Sequence, residues 1–446
     1  AEGPSGGAPS VMMVMQCISP YSEMDMDDDE AESPFEKLDD TLMLSVLRCF
    51  ERPGPLCAVA TVNKRFAALC SDSFLWLPLL DSALPSSTGR GWLSWAPCTT
   101  TPIWRERYKQ WHTLSSLKWA LCSAGGATAG PSERFLHRAA AAAGDRVYIY
   151  GGRGTANCEL GDMWIMHPDE ALRCNDPRWE LVQYRSGEQP TPRLSATLVS
   201  VVVRGRTGLV MFGGRSGENF LNDAWLFDTD ACVWSLVSPH VFDLASSGAP
   251  ADVPVGRWAH SGVVHREAEV VIFGGSAPGQ CFNDVHSLHV ATSRWELHAP
   301  AGPRPAARSG HSVARVGARM YVFGGNTTRE SFNDTWEYNM QARVWAQVKT
   351  RGGSPSARVG HVLVPFGDRL MLFGGRKYME NSFDRAIHCL DLAKRRWAEV
   401  KVAGDPPAVR TGHSAIACGG AMLVFGGMGA TEGEFFNDVY VLRLFE

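Results

Sequence analysis

The sequence predicts a multidomain α + all-β protein in which a small helical module precedes a six-bladed β-propeller, and a strand near Trp119 closes the propeller. Three observations carry this prediction. A block that contains a Gly-Gly doublet recurs six times. Residues 34–80 have apolar side chains at helical spacing, and the Trp that the sixth block lacks is found upstream of the first block.

Six short apolar runs end in a Gly-Gly doublet, and the steps between the first glycines are 62, 61, 50, 50 and 52 residues. Runs rich in β-branched and aromatic side chains are typical of buried strands. A glycine pair lets the chain turn sharply where a Cβ would collide. A repeat of this length predicts one four-stranded blade per copy. The runs with their doublets are 147–152, 209–214, 270–275, 320–325, 370–375 and 422–427.

Four other landmarks keep register with the doublets. An Arg precedes each doublet by 16 to 20 residues, at Arg134, Arg193, Arg257, Arg308, Arg358 and Arg410. Three residues later stands a His in five copies, at His137, His260, His311, His361 and His413. After the doublet comes an Asp, at Asp162, Asp223, Asp284, Asp334, Asp384 and Asp438. A Trp follows in five copies, at Trp179, Trp234, Trp295, Trp345 and Trp397, and is predicted to pack each blade on its neighbour.

The sixth copy has no such Trp, because the chain ends eight residues after Asp438. Upstream of the first copy, Trp119 stands 15 residues before Arg134, which is close to the spacing between the Trp of one copy and the Arg of the next. We therefore expect residues 117–122 to supply the outer strand of the last blade, so that six blades close into a ring.

The repeated motifs resemble those of the kelch family, specifically the kelch propellers of F-box proteins. The resemblance is closest at Arg257-Trp258-Ala259-His260-Ser261 and at Phe282-Asn283-Asp284, and it covers about 330 of the 446 residues. Each copy alone is a weak signal, whereas six copies in phase are a strong one.

Residues 34–80 have a different period, with Leu38, Leu42, Val46 and Phe50 on one side of a predicted helix. This segment resembles an F-box, although Asp39 stands where Pro is common and Phe66 where Trp is frequent. A generic small helical domain is the alternative. The resemblance implies that the module binds the Skp-type adaptor of Skp–cullin–F-box ubiquitin ligases through Pro34, Leu38, Leu42, Leu44, Val46 and Leu47.

The predicted domains are a disordered acidic leader at 1–33, the F-box at 34–80, a linker with a short helix at 81–117 and the propeller at 118–446. The leader has eight acidic and no basic residues, so the rest of the chain carries a net charge of 43 − 39, or +4. The twelve Cys form no CxxC pair and no apolar run reaches a membrane-spanning length, so we expect a cytoplasmic or nuclear protein.

In an antiparallel blade, the start of the first strand and the end of the second lie on one face, so the loops after the doublets should surround the six Arg residues. Six guanidinium groups around one channel mouth could bind a carboxylate-rich or phosphorylated segment. The alternative is that each Arg pairs with an acid or a carbonyl between adjacent blades. Less periodic side chains are better candidates for substrate contact, namely Trp258, Arg153, Arg215, Arg376, Lys377 and Tyr378.

No catalytic motif is present: the sequence has no GxSxG, HExxH, Walker or GxGxxG pattern. The five His residues belong to separate blades and are interpreted as framework groups, not metal ligands. Kelch-type specifier enzymes hold iron with Glu-xxx-Asp-xxx-His, but here the third position is Tyr338 or Leu442.

The sequence therefore predicts a non-catalytic substrate receptor of a ubiquitin ligase, with no cofactor and no metal. Its expected partners are the Skp-type adaptor, a cullin scaffold and a protein substrate, and neither nucleic acid nor membrane. A kelch scaffold outside the ligase system is the alternative, and a specifier enzyme is less favoured.

Overall fold

A computed structural model gives the structure of the protein. It describes residues 117–122, 130–142, 146–168, 171–172, 177–185, 187–240, 252–377, 380–418 and 421–443. The predicted leader, the F-box at 34–80 and nearly all of the linker lie outside these described residues.

Six four-stranded antiparallel sheets, here called blades 1 to 6, account for most of the described residues. From the inner to the outer strand, blade 1 has Arg138–Ala142, Arg146–Tyr150, Met163–His167 and Arg178–Leu181; blade 2 has Thr197–Val203, Arg206–Ser216, Asn219–Asp228 and Val233–Ser238; and blade 3 has Ser261–His265, Glu269–Phe273, Val285–His289 and Arg294–His298. Blade 4 has Ser312–Val316, Arg319–Phe323, Thr335–Asn339 and Val344–Gln347; blade 5 has Val362–Phe366, Arg369–Phe373, Ile387–Asp391 and Arg396–Val400; and blade 6 has Ser414–Cys418, Ala421–Met428, Phe435–Arg443 and Lys118–Cys122.

Among the described residues, seven two-residue strands lie outside the four main strands of the blades. The strand Arg351–Gly352 adds in parallel to the outer edge of blade 5. The others pair antiparallel: Arg134–Phe135 with Arg153–Gly154, Ser276–Ala277 with Gln280–Cys281, and Arg376–Lys377 with Ser382–Phe383.

The ring of blades is closed as predicted by the segment around Trp119. Lys118–Cys122 pairs antiparallel with the last strand of the chain, from Lys118 opposite Arg443 to Cys122 opposite Val439. The six inner strands also contact one another in cyclic order, and blade 6 contacts blade 1. The propeller is therefore closed by joining its first and last strands in one sheet.

The predicted α + all-β fold class is wrong for the described part of the chain, whose regular structure is nearly all β. Helical geometry is confined there to Pro168, Ala171, Leu172 and the 3-10 turn Val290–Thr292. No helical F-box module is found among the described residues. Within them, no helix has the length and apolarity that a membrane span requires.

The hydrophobic core is divided into six clusters, one at each junction between neighbouring blades. This division follows from the sequence, because the second strand of each blade is apolar on both faces and has a blade on either side. In Glu269–Phe273, for example, all five residues are buried.

The predicted Trp wedges are confirmed. Each outer-strand Trp is buried and lies against the aromatic side chain that precedes the Gly-Gly doublet of the preceding blade, with ring centroids 4.8–5.8 Å apart. The pairs are Trp119 with Phe373, Trp179 with Phe425, Trp234 with Tyr150, Trp295 with Phe212, Trp345 with Phe273 and Trp397 with Phe323.

A closed ring of six backbone hydrogen bonds runs around the axis of the propeller. In each blade, the residue two positions after the repeated Arg donates its N–H to the equivalent carbonyl of the preceding blade, at 2.7–3.1 Å. All six have left-handed backbone conformations, with φ between 51° and 65°. We call these residues the central ring: Leu136, Ser195, Ala259, Gly310, Gly360 and Gly412.

Removal of the closing Trp tests whether the paired first and last strands hold the ring together. Trp119 is 3% exposed, whereas Leu121 on the same strand is 50% exposed. We expect Trp119→Ala to lower the free energy of unfolding by about 3–5 kcal/mol, because it leaves a cavity between blades 5 and 6. Leu121→Ala should cost less than about 1 kcal/mol. Urea unfolding measures both values, and equal losses would contradict this role of Trp119.

Candidate functional site

The six repeated Arg residues, here called the clamp arginines, are buried inside the blades. In blade 3, Arg257 donates Nε–H to the Val255 carbonyl at 3.0 Å and Nη1–H to the Gly274 carbonyl at 3.0 Å. Its Nη1 and Nη2 also contact the two carboxylate oxygens of Asp284 at 2.6 and 2.9 Å. The ring of Phe282 lies 4.2 Å from the guanidinium carbon. The guanidinium group thus joins the first, second and third strands of its own blade.

The pairing with Asp and the bond from Nη1 to the carbonyl of the first doublet glycine recur in every blade. The clamp arginines are 0–1% exposed, and their nitrogens lie 2.6–3.0 Å from the paired carboxylate oxygens. The pairs are Arg134 with Asp162, Arg193 with Asp223, Arg257 with Asp284, Arg308 with Asp334, Arg358 with Asp384 and Arg410 with Asp438. This geometry favours the structural alternative, because these groups are already bound and buried. Direct substrate contact by the clamp arginines stays a prediction.

One detail of the structural alternative is corrected: the Arg–Asp pair lies within a blade and not between blades. The link between blades is made instead by the backbone of the clamp arginine. The second glycine of a doublet donates its N–H to the carbonyl of the next clamp arginine, as from Gly152 to Arg193 at 3.0 Å. A Cβ on Gly151 would lie 2.6 Å from that same carbonyl oxygen, which explains why glycine is needed there.

The loops after the doublets lie on the face where the clamp arginines enter, as predicted. In each blade, the residue after the clamp arginine forms an antiparallel bridge with the residue after the doublet. We call these twelve residues the collar; each central-ring residue directly follows one of them in sequence. The collar consists of Phe135 with Arg153, Leu194 with Arg215, Trp258 with Ser276, Ser309 with Asn326, Val359 with Arg376, and Thr411 with Met428.

Three of the candidate side chains are collar arginines, and the collar has no acidic residue. Arg153, Arg215 and Arg376 are half-buried. The Nε atoms of Arg153 and Arg376 are buried and have no hydrogen-bond partner within the described residues. Lys377 continues the strand from Arg376 and lies 3.5 Å from Glu380, whereas Tyr378 lies outside the described residues.

A cation–aromatic cluster joins the collar residues of blades 2 and 3. The guanidinium carbon of Arg215 lies 5.7 Å from the ring centre of Trp258 and 5.9 Å from that of Phe220. The two rings are nearly perpendicular, with centroids 6.4 Å apart. Arg215 also donates to the Gly217 carbonyl at 2.8 Å, which holds its side chain in place. Its Nη2 also lies 3.3 Å from the carboxylate of Glu218, a side chain that is 96% exposed. The cluster thus places a guanidinium group with a solvent-exposed counter-charge beside half-buried aromatic surface.

The structure adds aromatic residues that the sequence analysis did not select. Phe135 occupies the same register position as Trp258, and it stacks on Phe435 with ring centroids 5.0 Å apart. Phe220 completes the Arg215 cluster. Phe135 could have been found by aligning the residues that follow each clamp arginine, but Phe220 has no equivalent signal in the repeat.

The five repeated His residues are buried framework groups. In each, the imidazole packs on the aromatic residue that precedes the Gly-Gly doublet of the preceding blade, with centroids 5.0–5.4 Å apart. Burial lowers the pKa of all five, and the nearby clamp arginine adds to this effect, so each His stays neutral. Within the described residues, no group of three His, Cys, Asp or Glu side chains is placed to hold a metal ion.

Comparison with protein families places the chain among kelch proteins. The model of the KLHDC2/KLHL20/DRC7 kelch-repeats domain matches residues 106–251, 241–365 and 345–446, which together make up more than half of the chain. The chain belongs to this kelch family. Kelch propellers are typically non-catalytic interaction modules, and the collar is the part of this propeller whose exposed chemistry varies from blade to blade.

Relatives of the kelch propeller occur in plants and fungi. Adagio-like protein 1 of Oryza sativa subsp. japonica is 29% identical over 295 residues, or 65% of this chain and 43% of that protein. Acyl-CoA-binding domain-containing protein 5 of Arabidopsis thaliana is 33% identical over 127 residues, or 28% of this chain and 18% of that protein. Tip elongation aberrant protein 1 of Schizosaccharomyces pombe is 27% identical over 178 residues, or 38% of this chain and 14% of that protein. The matched part of the chain thus spans less than half of each relative.

The buried His residues predict a loss of stability in mild acid. Their pKa is lowered from 6.5 in the folded state, to about 3 for His361, so below pH 6.5 the unfolded chain binds more protons than the folded chain. The contribution is fully present above pH 6.5 and is lost as the pH falls towards the folded pKa. As the pH falls below 6.5, each buried His should lower the free energy of unfolding by up to about 1.4 kcal/mol per pH unit.

A substitution at one His position isolates this effect. We expect His413→Ala, which copies Ala196 of blade 2, to reduce the slope of unfolding free energy against pH by about one His contribution between pH 6 and 5. His289→Ala, at a side chain that is 41% exposed, is the control. Urea unfolding across this pH range gives the slopes, and identical slopes for wild type and His413→Ala would refute the assignment.

Proposed function

We propose that this protein is the substrate-recognition subunit of a Skp–cullin–F-box ubiquitin ligase. In this proposal, the collar of the kelch propeller binds the target protein, and residues 34–80 bind the Skp-type adaptor through the F-box-like pattern around Leu38 and Leu42. The cullin and the other partner enzymes supply the catalysis. The complex would act in the cytoplasm or the nucleus.

The observation that carries the target-binding half of the proposal is the composition of the collar. Arg and aromatic side chains are the residue types enriched at the centres of protein interfaces. Here Arg215, Trp258 and Phe220 of blades 2 and 3 form one cluster, and Phe135 and Arg153 are backbone partners in the preceding blade 1. Because the collar carries three arginines and no acid, the segment of the target that it binds is expected to be acidic or phosphorylated.

The rigidity of the framework also supports a receptor role. The collar residues are held by backbone bridges, and the clamp arginines and the central ring lie directly beside them. A binding surface that is fixed before the partner arrives loses little conformational entropy on association. The propeller can therefore present its target in one orientation, as transfer of ubiquitin by a separate enzyme requires.

A kelch scaffold without a ligase is the second candidate. It is favoured by one observation: the family match begins at residue 106 and leaves residues 34–80 outside. The two candidates differ in a single interaction, the binding of the Skp-type adaptor.

Two pairs of substitutions should separate adaptor binding from target binding. In co-purification of the full chain from cells treated with a proteasome inhibitor, Leu38→Asp with Leu42→Asp should lose the adaptor and keep the target proteins. Arg215→Glu with Trp258→Ala should keep the adaptor and weaken target binding at least about tenfold, because it removes a hot-spot ring and reverses a charge.

The control for the collar is a pair of substitutions at exposed positions of blade 2 outside the collar. Arg206 and Leu236 are exposed, and Arg206 lies at the end of its strand remote from Arg215. Arg206→Glu with Leu236→Ala should retain both interactions. If the wild-type chain does not bind the adaptor, the scaffold candidate replaces the ligase; if the collar variant keeps its targets, the collar is not the binding surface.

A further inference from the structure

A polar cavity of about 190 Å³ lies on the axis of the propeller, beside the central ring. One residue from the start of each inner strand lines it, and we call these six residues the channel layer. Three are Ser, one is Thr, one is Val and one is Arg. They are Arg138, Thr197, Ser261, Ser312, Val362 and Ser414.

Three residues of the channel layer link neighbouring blades through their side chains. Ser261 donates its hydroxyl to the His311 carbonyl at 3.0 Å, and Ser312 donates to the His361 carbonyl. Arg138 makes the equivalent bond, from Nε to the Ala196 carbonyl of blade 2 at 2.7 Å. A serine would therefore be sufficient for the structural task at this position.

Arg138 has more hydrogen-bond donors than the bond to the Ala196 carbonyl requires, and it also carries a charge. Its Nη1 makes one further bond, to the His137 carbonyl at 3.3 Å, and no hydrogen-bond partner is recorded for Nη2 within the described residues. Every clamp arginine has an Asp, but Arg138 has no carboxylate partner in that part of the chain. A guanidinium group without a counter-charge is thus left at the wall of a cavity.

The shifted pKa values of Arg138 and of three His residues are consistent with a positive charge that acts across the channel. Burial lowers the pKa of Arg138 to about 10. Burial is also the main cause of the lowered pKa of His137, His260 and His311, and after the clamp arginines the charge of Arg138 contributes to all three. These three imidazoles belong to three different blades.

Unpaired hydroxyl groups lie in the same cavity wall. The side-chain oxygens of Ser195 and Thr197 are buried and have no hydrogen-bond partner within the described residues. Buried hydroxyl groups normally have partners, so these two, beside a cation without a carboxylate, can donate to an acceptor that enters the cavity. Water can satisfy hydroxyl groups, but it does not neutralise the guanidinium group.

We propose that the axial cavity is a binding site for a small inorganic oxyanion of the phosphate or sulfate type, with Arg138 as its anchor and the hydroxyl groups of Thr197 and Ser195 as additional donors. The guanidinium fork binds two oxygens of such an anion and leaves the others for the hydroxyl groups. This site is separate from the collar and does not depend on the proposed ligase role.

Phosphate binding to the full chain tests the site directly. The probe is inorganic phosphate, titrated by calorimetry and by thermal unfolding at constant ionic strength, with sodium chloride as the balancing salt. Wild type should bind saturably, and its unfolding temperature should rise with phosphate, since a ligand of the folded state stabilises it. Arg138→Ser should weaken phosphate binding at least about tenfold, while the hydroxyl group at this position retains the link to blade 2.

Two further variants make the result decisive. Arg294→Ser removes a positive charge from an exposed position of blade 3 and should bind phosphate as wild type does. Arg138→Gln keeps most of the side-chain length without the charge, and it replaces Arg138→Ser if that variant does not fold. The site would be overturned if wild type shows no saturable binding, if the folded Arg138 variant binds phosphate equally well, or if acetate stabilises wild type as much as phosphate does.

Discussion

The closed ring of six backbone hydrogen bonds is the constraint on which the other features of the propeller depend. Each ring residue stands between a collar residue and the position that is His in five blades, so the ring places the collar on one side of it and the channel layer on the other. The ring requires left-handed backbone at every member. Glycine supplies this in three blades, whereas Leu136, Ser195 and Ala259 adopt it with strain on the order of 1 kcal/mol each.

Arginine has three different roles in this fold, and the surroundings decide which role each residue has. The clamp arginine, such as Arg257, is present in every blade. It is buried and binds an Asp, so its charge is neutralised within the framework. Arg215 is half-buried beside aromatic rings, where a partner can reach it. Arg138 differs from both, because it has no Asp partner among the described residues and it faces the axial cavity instead of the collar. The arginine that all six repeats share serves the fold, whereas arginines at positions where the repeats differ are candidates for binding.

The repeat was sufficient to predict the blades, but it did not predict several of the contacts. Six doublets in register and the displaced Trp119 were sufficient for the blade number and the closure. The Arg–Asp separation of 26 to 30 residues allowed pairing within or between blades, so only the structure placed Arg257 and Asp284 in one blade. Phe220 has no periodic signal. The predicted α + all-β class needed helices that the described residues do not contain, and the F-box resemblance of 34–80 stays a prediction.

The choice of Arg at position 138 is best understood by comparison with its equivalents. Ser261 makes the same bond to the next blade with a neutral hydroxyl group. Arg138 is half-buried, and partial desolvation of a guanidinium group without a counter-charge is unfavourable, while the packing of the inner strands does not require it. The fold alone therefore gives no reason to prefer Arg138 to serine. An anion in the cavity provides that reason, because it offsets the desolvation of the charge and satisfies donors from two adjacent blades at once.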